Sequence, residues 1–144
     1  MNYVPEDLYS EFLKCLPIIC VDIIVAVEGG YLLVRRNDEP LKDEYWVPGG
    51  RLQQGENLKS AARRKLIDEC GVEVAKERFS LFGVYEDVFD KSSFGRHTYH
   101  TISMVFKVEL EDLRSVLLDK SSSDWKVMEL LPDRLMSKLE KVNE

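Results

Sequence analysis

The chain has 144 residues, 44% of them hydrophobic, 32% charged and 10% aromatic. That is enough apolar surface for one packed core without staples, and the balance excludes a disordered or membrane-embedded chain. With 20 basic against 26 acidic residues, a net charge of −6, non-specific nucleic-acid binding is excluded, although a few arginines or a metal ion can still grip a phosphate locally.

Met1 to Glu11 carries acids rather than the basic flank of a signal peptide. Glu6 to Leu16 reads as a short amphipathic helix with Leu8, Phe12 and Leu16 at four-residue spacing, ended by Pro17. Ile18 to Val27 is a strongly β-branched run, too short to span a membrane and interrupted by Asp22. Gly29-Gly30 then precedes a second β-like run, Tyr31 to Arg36, so the pair reads as a hairpin. Leu41 to Gly55 reads as a loop, introduced by Pro40 and punctuated by Pro48, Gly49, Gly50 and Gly55.

Asn57 to Cys70 is the clearest helix. Leu58, Ala61, Ala62, Leu66 and Cys70 mark its apolar face, and Gly71 stops it as a C-terminal cap would. Phe79 to Val88 and Tyr99 to Leu110 read as strands, joined by a polar segment around Lys91 to Arg96. Asp112 to Asp124 reads mostly as loop, and Pro132 to Val142 as a closing helix with Leu135 and Leu139 inward. No repeat or linker divides the chain, so residues 1–144 read as a single mixed α/β domain with a largely antiparallel or mixed sheet. Three cysteines (Cys15, Cys20, Cys70) form no C-x-x-C pair, which indicates neither a disulfide framework nor a zinc knuckle; a reducing, cytoplasmic setting is expected.

The chemistry concentrates between Gly49 and Val72. Three glycines let the backbone approach a ligand closely. The helix after them places Arg64, Lys65, Asp68 and Glu69 within about one turn of each other. The two carboxylates Asp68 and Glu69, beside loop carbonyls, suit Mg²⁺ or Mn²⁺ as ligands, and such an ion stabilises a pyrophosphate as a leaving group. Arg64–Asp68 and Lys65–Glu69 are also i,i+4 ion pairs, which on a solvated helix are worth only about 0.2–0.5 kcal/mol each.

Gly50, Glu56, Arg64, Leu66, Glu69, Gly71 and Val72 keep the spacing of the Nudix box, and the segment resembles that family. The resemblance implies the Nudix fold, a mixed sheet sandwiched between helices, and divalent-metal hydrolysis of a nucleoside diphosphate linked to another moiety. Lys65 and Asp68 stand where the box has its first two helix glutamates. An ammonium about 6 Å from a second bound ion, at an effective dielectric near 20, would cost on the order of 5 kcal/mol before screening, so one metal is expected rather than several.

Over most of the chain the sequence is similar to GDP-mannose mannosyl hydrolases, in Val21 to Ile23, Leu32 to Pro40, Tyr45 to Arg51, Gly83 to Tyr85, Phe94-Gly95 and His100. That resemblance implies metal ligation by Glu69 and the Gly49 carbonyl, with Asp68 beside them in the Nudix box. It also implies a diphosphate grip by Arg36 and Arg51, further site residues at Asp22 and His100, release of nucleoside diphosphate and hexose, and pairing of two copies through the N-terminal region. His97 reads as a loop residue. Aligned on Trp125, Ser121 and Ser122 replace the subgroup's glutamine and its general-base histidine, leaving Asp119 or Asp124 as substitutes. Two other activities stay open: attack at phosphorus on another nucleoside diphosphate derivative, and non-catalytic binding of a nucleotide sugar.

Overall fold

The structure is a computed structural model that describes residues 4–90 and 98–142; Phe94, Gly95 and His97 lie outside the described residues. Helix α1 (Glu6–Cys15) leads into β1 (Ile18–Val27), which turns at Gly29 into β2 (Gly30–Arg36), with Val27 opposite Gly30. Two short strands, β3 (Tyr45–Trp46) and β4 (Gly49–Arg51), lie in the segment expected to be loop. Helix α2 (Leu58–Cys70) follows, then β5 (Ser80–Phe89), β6 (Tyr99–Glu109), β7 (Ser122–Met128), α3 (Asp133–Lys138) and β8 (Leu139–Lys141).

The strands form one mixed sheet in the order β3-β2-β1-β6-β5-β8, with β4 on β1 and β7 on β2. Only the β1–β6 pairing is parallel among those described. Strand β1 is buried on both faces, which explains its nearly unbroken apolar run. Val21, Ile23 and Val25 pack with Ala61, Ala62 and Leu66 of α2, while Ile24 packs with Tyr85 and with Leu135 of α3. The sheet is therefore sandwiched between helices.

Local chemistry sets the ends of α2. The Asn57 side chain accepts from the Ser60 N–H at 2.9 Å, and Gly71 adopts the left-handed φ of 67° that ends a helix without a Cβ clash.

Two further expectations need correction. The inward residue of α1 is Leu13, packed on Ile18 and Cys20, whereas Leu8 and Leu16 are exposed. The closing helix stops at Lys138, because Leu139–Lys141 instead supplies the ladder partner that the outer edge of β5 requires. Leu135 is inward as expected.

Candidate active site

Strand β4 lies antiparallel to β1 with Gly49 opposite Asp22. A Cβ on Gly49 would fall 2.0 Å from Asp22 Oδ1, so only glycine permits this approach. A Cβ on Gly50 would fall 2.6 Å from Lys65 Cε, because the lysine stem crosses that glycine. Beside them opens a cavity of about 250 Å³. Its wall takes Asp22 from β1, Arg36 from β2, Arg51 from β4, Lys65 and Glu69 from α2, and Tyr99, Thr101 and Ser103 from β6.

Two carboxylates of its wall, Asp22 and Glu69, are buried. Asp22 accepts from the Ser103 hydroxyl at 2.6 Å, yet burial pushes its carboxyl up to about 6. Burial also raises Glu69, against the nearby Lys65 charge. Glu69 Oε2 lies 2.7 Å from Lys65 Nζ, and Oε1 accepts from the Gly49 N–H at 3.3 Å. Arg36 is fixed by donation from its Nε to the Pro40 carbonyl at 2.8 Å. Arg51 lies over the ring of Tyr9 from α1, with its guanidinium carbon 5.0 Å from the ring centre.

Glu56 and Arg64 buttress the turn before α2. Arg64 donates from Nε to Glu56 Oε2 at 2.6 Å, from Nη2 to Oε1 at 2.9 Å, and from Nη2 to the Arg51 carbonyl at 3.2 Å. The guanidinium holds Glu56 below the usual carboxylate range.

The cavity thus brings together Asp22, Arg36, Gly49, Gly50, Arg51 and Glu69. Other expected residues fall elsewhere. His100 does not line it: successive strand residues face opposite ways, so Tyr99, Thr101 and Ser103 take the cavity side while His100 meets Glu86 at 2.7 Å. Asp68 is exposed and lies 3.8 Å from Arg64, because its helix position faces solvent rather than the glycine loop. Asp124 is exposed and accepts from the Tyr45 hydroxyl at 2.5 Å, while the exposed Asp119 accepts from the Ser121 N–H at 2.9 Å. Neither aspartate lines the cavity, whereas Ser121 and Ser122 do. Sequence reasoning missed the cavity positions of Tyr99, Thr101 and Ser103, whose alternation along one strand was the available signal. It also missed Tyr9, which nothing in the sequence marked.

The NUDIX domain family model matches residues 17–142. The chain belongs to the NUDIX family. A similar protein, "Low-salt glycan biosynthesis protein Agl8" of Haloferax volcanii, is 34% identical over 127 residues, covering 88% of this chain and 80% of that one. Another, "ADP-ribose pyrophosphatase" of Methanocaldococcus jannaschii, is 33% identical over 105 residues, covering 73% of this chain and 58% of that one. The NUDIX domain of Shewanella oneidensis NrtR, solved with ADP ribose, superposes with a TM-score of 0.66 at 17% identity, covering 94% of this chain and 88% of that one, which shows the shared fold.

NUDIX hydrolases generally use divalent metals, and the donor set here fits one such ion. Among the described residues no three His, Cys, Asp or Glu side chains gather as a cage. Magnesium, however, is commonly held by one or two carboxylates, with waters and substrate phosphates completing the shell. Glu69 is one such carboxylate, buried beside the Gly49 backbone, and a cation already lies against it in the form of the Lys65 ammonium.

Proposed function

We propose that this NUDIX protein hydrolyses a nucleoside diphosphate sugar of the GDP-mannose or GDP-glucose kind, releasing nucleoside diphosphate and hexose. The observation that carries the reading is the convergence of Arg36, Arg51 and Lys65, from three separate elements, on one cavity that also holds Asp22. Planar guanidinium forks suit phosphate oxygens. Trp46, Tyr85 and Phe89 add ring-bearing wall suited to a base or a sugar ring. The similarity to a protein named for glycan biosynthesis agrees with a sugar-bearing substrate.

In this reading a water attacks the anomeric carbon as the bond from that carbon to the diphosphate oxygen breaks. The bonding electron pair leaves with the diphosphate, and the proton of the attacking water passes to Asp22, which takes over from the missing histidine. Arg36 and Arg51 strengthen their hold as charge gathers on the leaving oxygen. Glu69, with the Gly49 backbone beside it, would hold Mg²⁺, which neutralises diphosphate charge when bound. Exposed Leu8, Leu16 and Ile19 on and beside α1 support pairing of two copies through the N-terminal region.

A second reading is attack at phosphorus on another nucleoside diphosphate derivative, favoured by the similarity to a protein named as an ADP-ribose pyrophosphatase. Incubating the protein with Mg²⁺ and GDP-mannose, GDP-glucose or ADP-ribose separates the two. Free hexose with nucleoside diphosphate supports the first reading. Nucleoside monophosphate with a sugar phosphate supports the second.

A further inference from the structure

Lys65 departs from the family's box, and the structure gives it a specific place. Its stem crosses Gly50, its ammonium reaches Glu69 Oε2 at 2.7 Å, and it lines the same cavity as Arg36 and Arg51. An ordinary helix-surface ion pair does not account for this. The Lys65 and Glu69 side chains are only 18% and 8% exposed, whereas the surface pair Arg63–Glu73 is 40% and 75% exposed. Removing two charges from water generally costs about as much as their pairing returns, so the burial of this pair argues for a use beyond stability.

Building on the proposed diphosphate chemistry, we propose that Lys65 is a built-in phosphate-binding cation. It lets this chain bind a diphosphate group without a divalent ion, and a divalent ion competes with it for Glu69. Three features carry this. First, Lys65 is a compact charge on a flexible four-carbon stem, so it can pass from a carboxylate to a nearby phosphate oxygen while its backbone stays on α2. Second, Arg36 and Arg51 are anchored by the Pro40 carbonyl and the Tyr9 ring, which leaves Lys65 as the cation of the three whose partner is a carboxylate that a metal would also seek. Third, an ammonium and a divalent ion repel one another, so each weakens the other's hold on Glu69.

The test uses the whole chain with inorganic pyrophosphate, a probe that needs no nucleobase, and with Mn²⁺. Calorimetry in EDTA should show pyrophosphate binding to the wild-type protein, weakened about tenfold or more in Lys65→Met, as expected for losing a charge-assisted contact. Lys65→Arg, which keeps the charge, should retain binding and guards against a simple folding defect. Electron paramagnetic resonance should show Mn²⁺ binding more tightly, by about tenfold or more, to Lys65→Met than to wild type. Equal pyrophosphate affinity of wild type and Lys65→Met in EDTA would overturn the proposal, as would binding by wild type only when Mg²⁺ is added. Unchanged Mn²⁺ affinity in Lys65→Met would also overturn it. If pyrophosphate binding depends on Lys65 but no nucleotide sugar is hydrolysed, the proposal stands and the substrate reading fails.

Discussion

Glu56 and Arg64 meet through two parallel hydrogen bonds of 2.6 and 2.9 Å, and the same guanidinium donates to the carbonyl of Arg51. One fork thereby ties the turn at Glu56, the middle of α2 and the backbone of Arg51 together. Lysine at position 64 keeps the charge but loses the fork. Arg64→Lys should lower kcat/KM about tenfold or more through misplacement of Arg51, with a stability loss of about 1–3 kcal/mol. Denaturant titration alongside kinetics checks both; an unchanged kcat/KM would confine the fork to stability.

Glu69→Gln keeps the shape of the side chain and removes its charge. Metal affinity and turnover should fall together, by about 100-fold or more, as expected for loss of the anionic ligand of a hard cation. The exposed Asp68, converted to Asn, should have a much smaller effect. Activity titrated against Mg²⁺ reads both, and an unaltered Mg²⁺ dependence in Glu69→Gln would reduce Glu69 to an ion-pair partner.

If Arg51 tightens on the diphosphate as the bond breaks, Arg51→Gln should lower kcat by about tenfold or more instead of only raising KM. Affinity for the nucleoside diphosphate product should fall as well. A raised KM with normal kcat would assign Arg51 to binding that is equal in ground and transition states.

Asp87 gives a pH-dependent stability away from the glycine loop. It is buried, and it accepts from Arg134 at 2.5 and 2.8 Å, from Lys138 at 2.9 Å and from the Tyr85 hydroxyl, which locks α3 onto β5. These partners hold its carboxyl far below the ordinary range despite burial. The depressed folded value means that this stabilisation is complete above the unfolded pKa of about 4 and is lost as pH falls below it. Asp87→Asn should cost about 3 kcal/mol at neutral pH and flatten the acid limb of the stability profile. Urea melts between pH 2 and 7 decide; an unflattened acid limb would move the acid sensitivity to other groups.

Much of the architecture was legible because its signals are local. β-Branched runs, Gly29-Gly30 and the apolar face ending at Gly71 located β1, β2 and α2 from short-range chemistry alone. Strands β3, β4 and β8 were not legible, since runs of two or three residues carry no periodicity and exist only through their partners β2, β1 and β5. The box spacing identified Glu56, Arg64 and Glu69, and the wider resemblance brought Asp22, Arg36 and Arg51. His100 was misplaced because a resemblance gives a position along the strand but not which face its side chain takes. The contact of Lys65 with Glu69 could be read as a helix pair, yet its burial against Gly50 depends on β4, which the sequence did not reveal.

Cleavage at the anomeric carbon of a nucleotide sugar, as proposed, fixes where the oxygen of the attacking water ends. Hydrolysis of GDP-mannose in ¹⁸O-water, followed by mass spectrometry of both products, tests it directly. Attack at carbon places the heavy oxygen in the free hexose and leaves the nucleoside diphosphate unlabelled. Label in a phosphate product would contradict it.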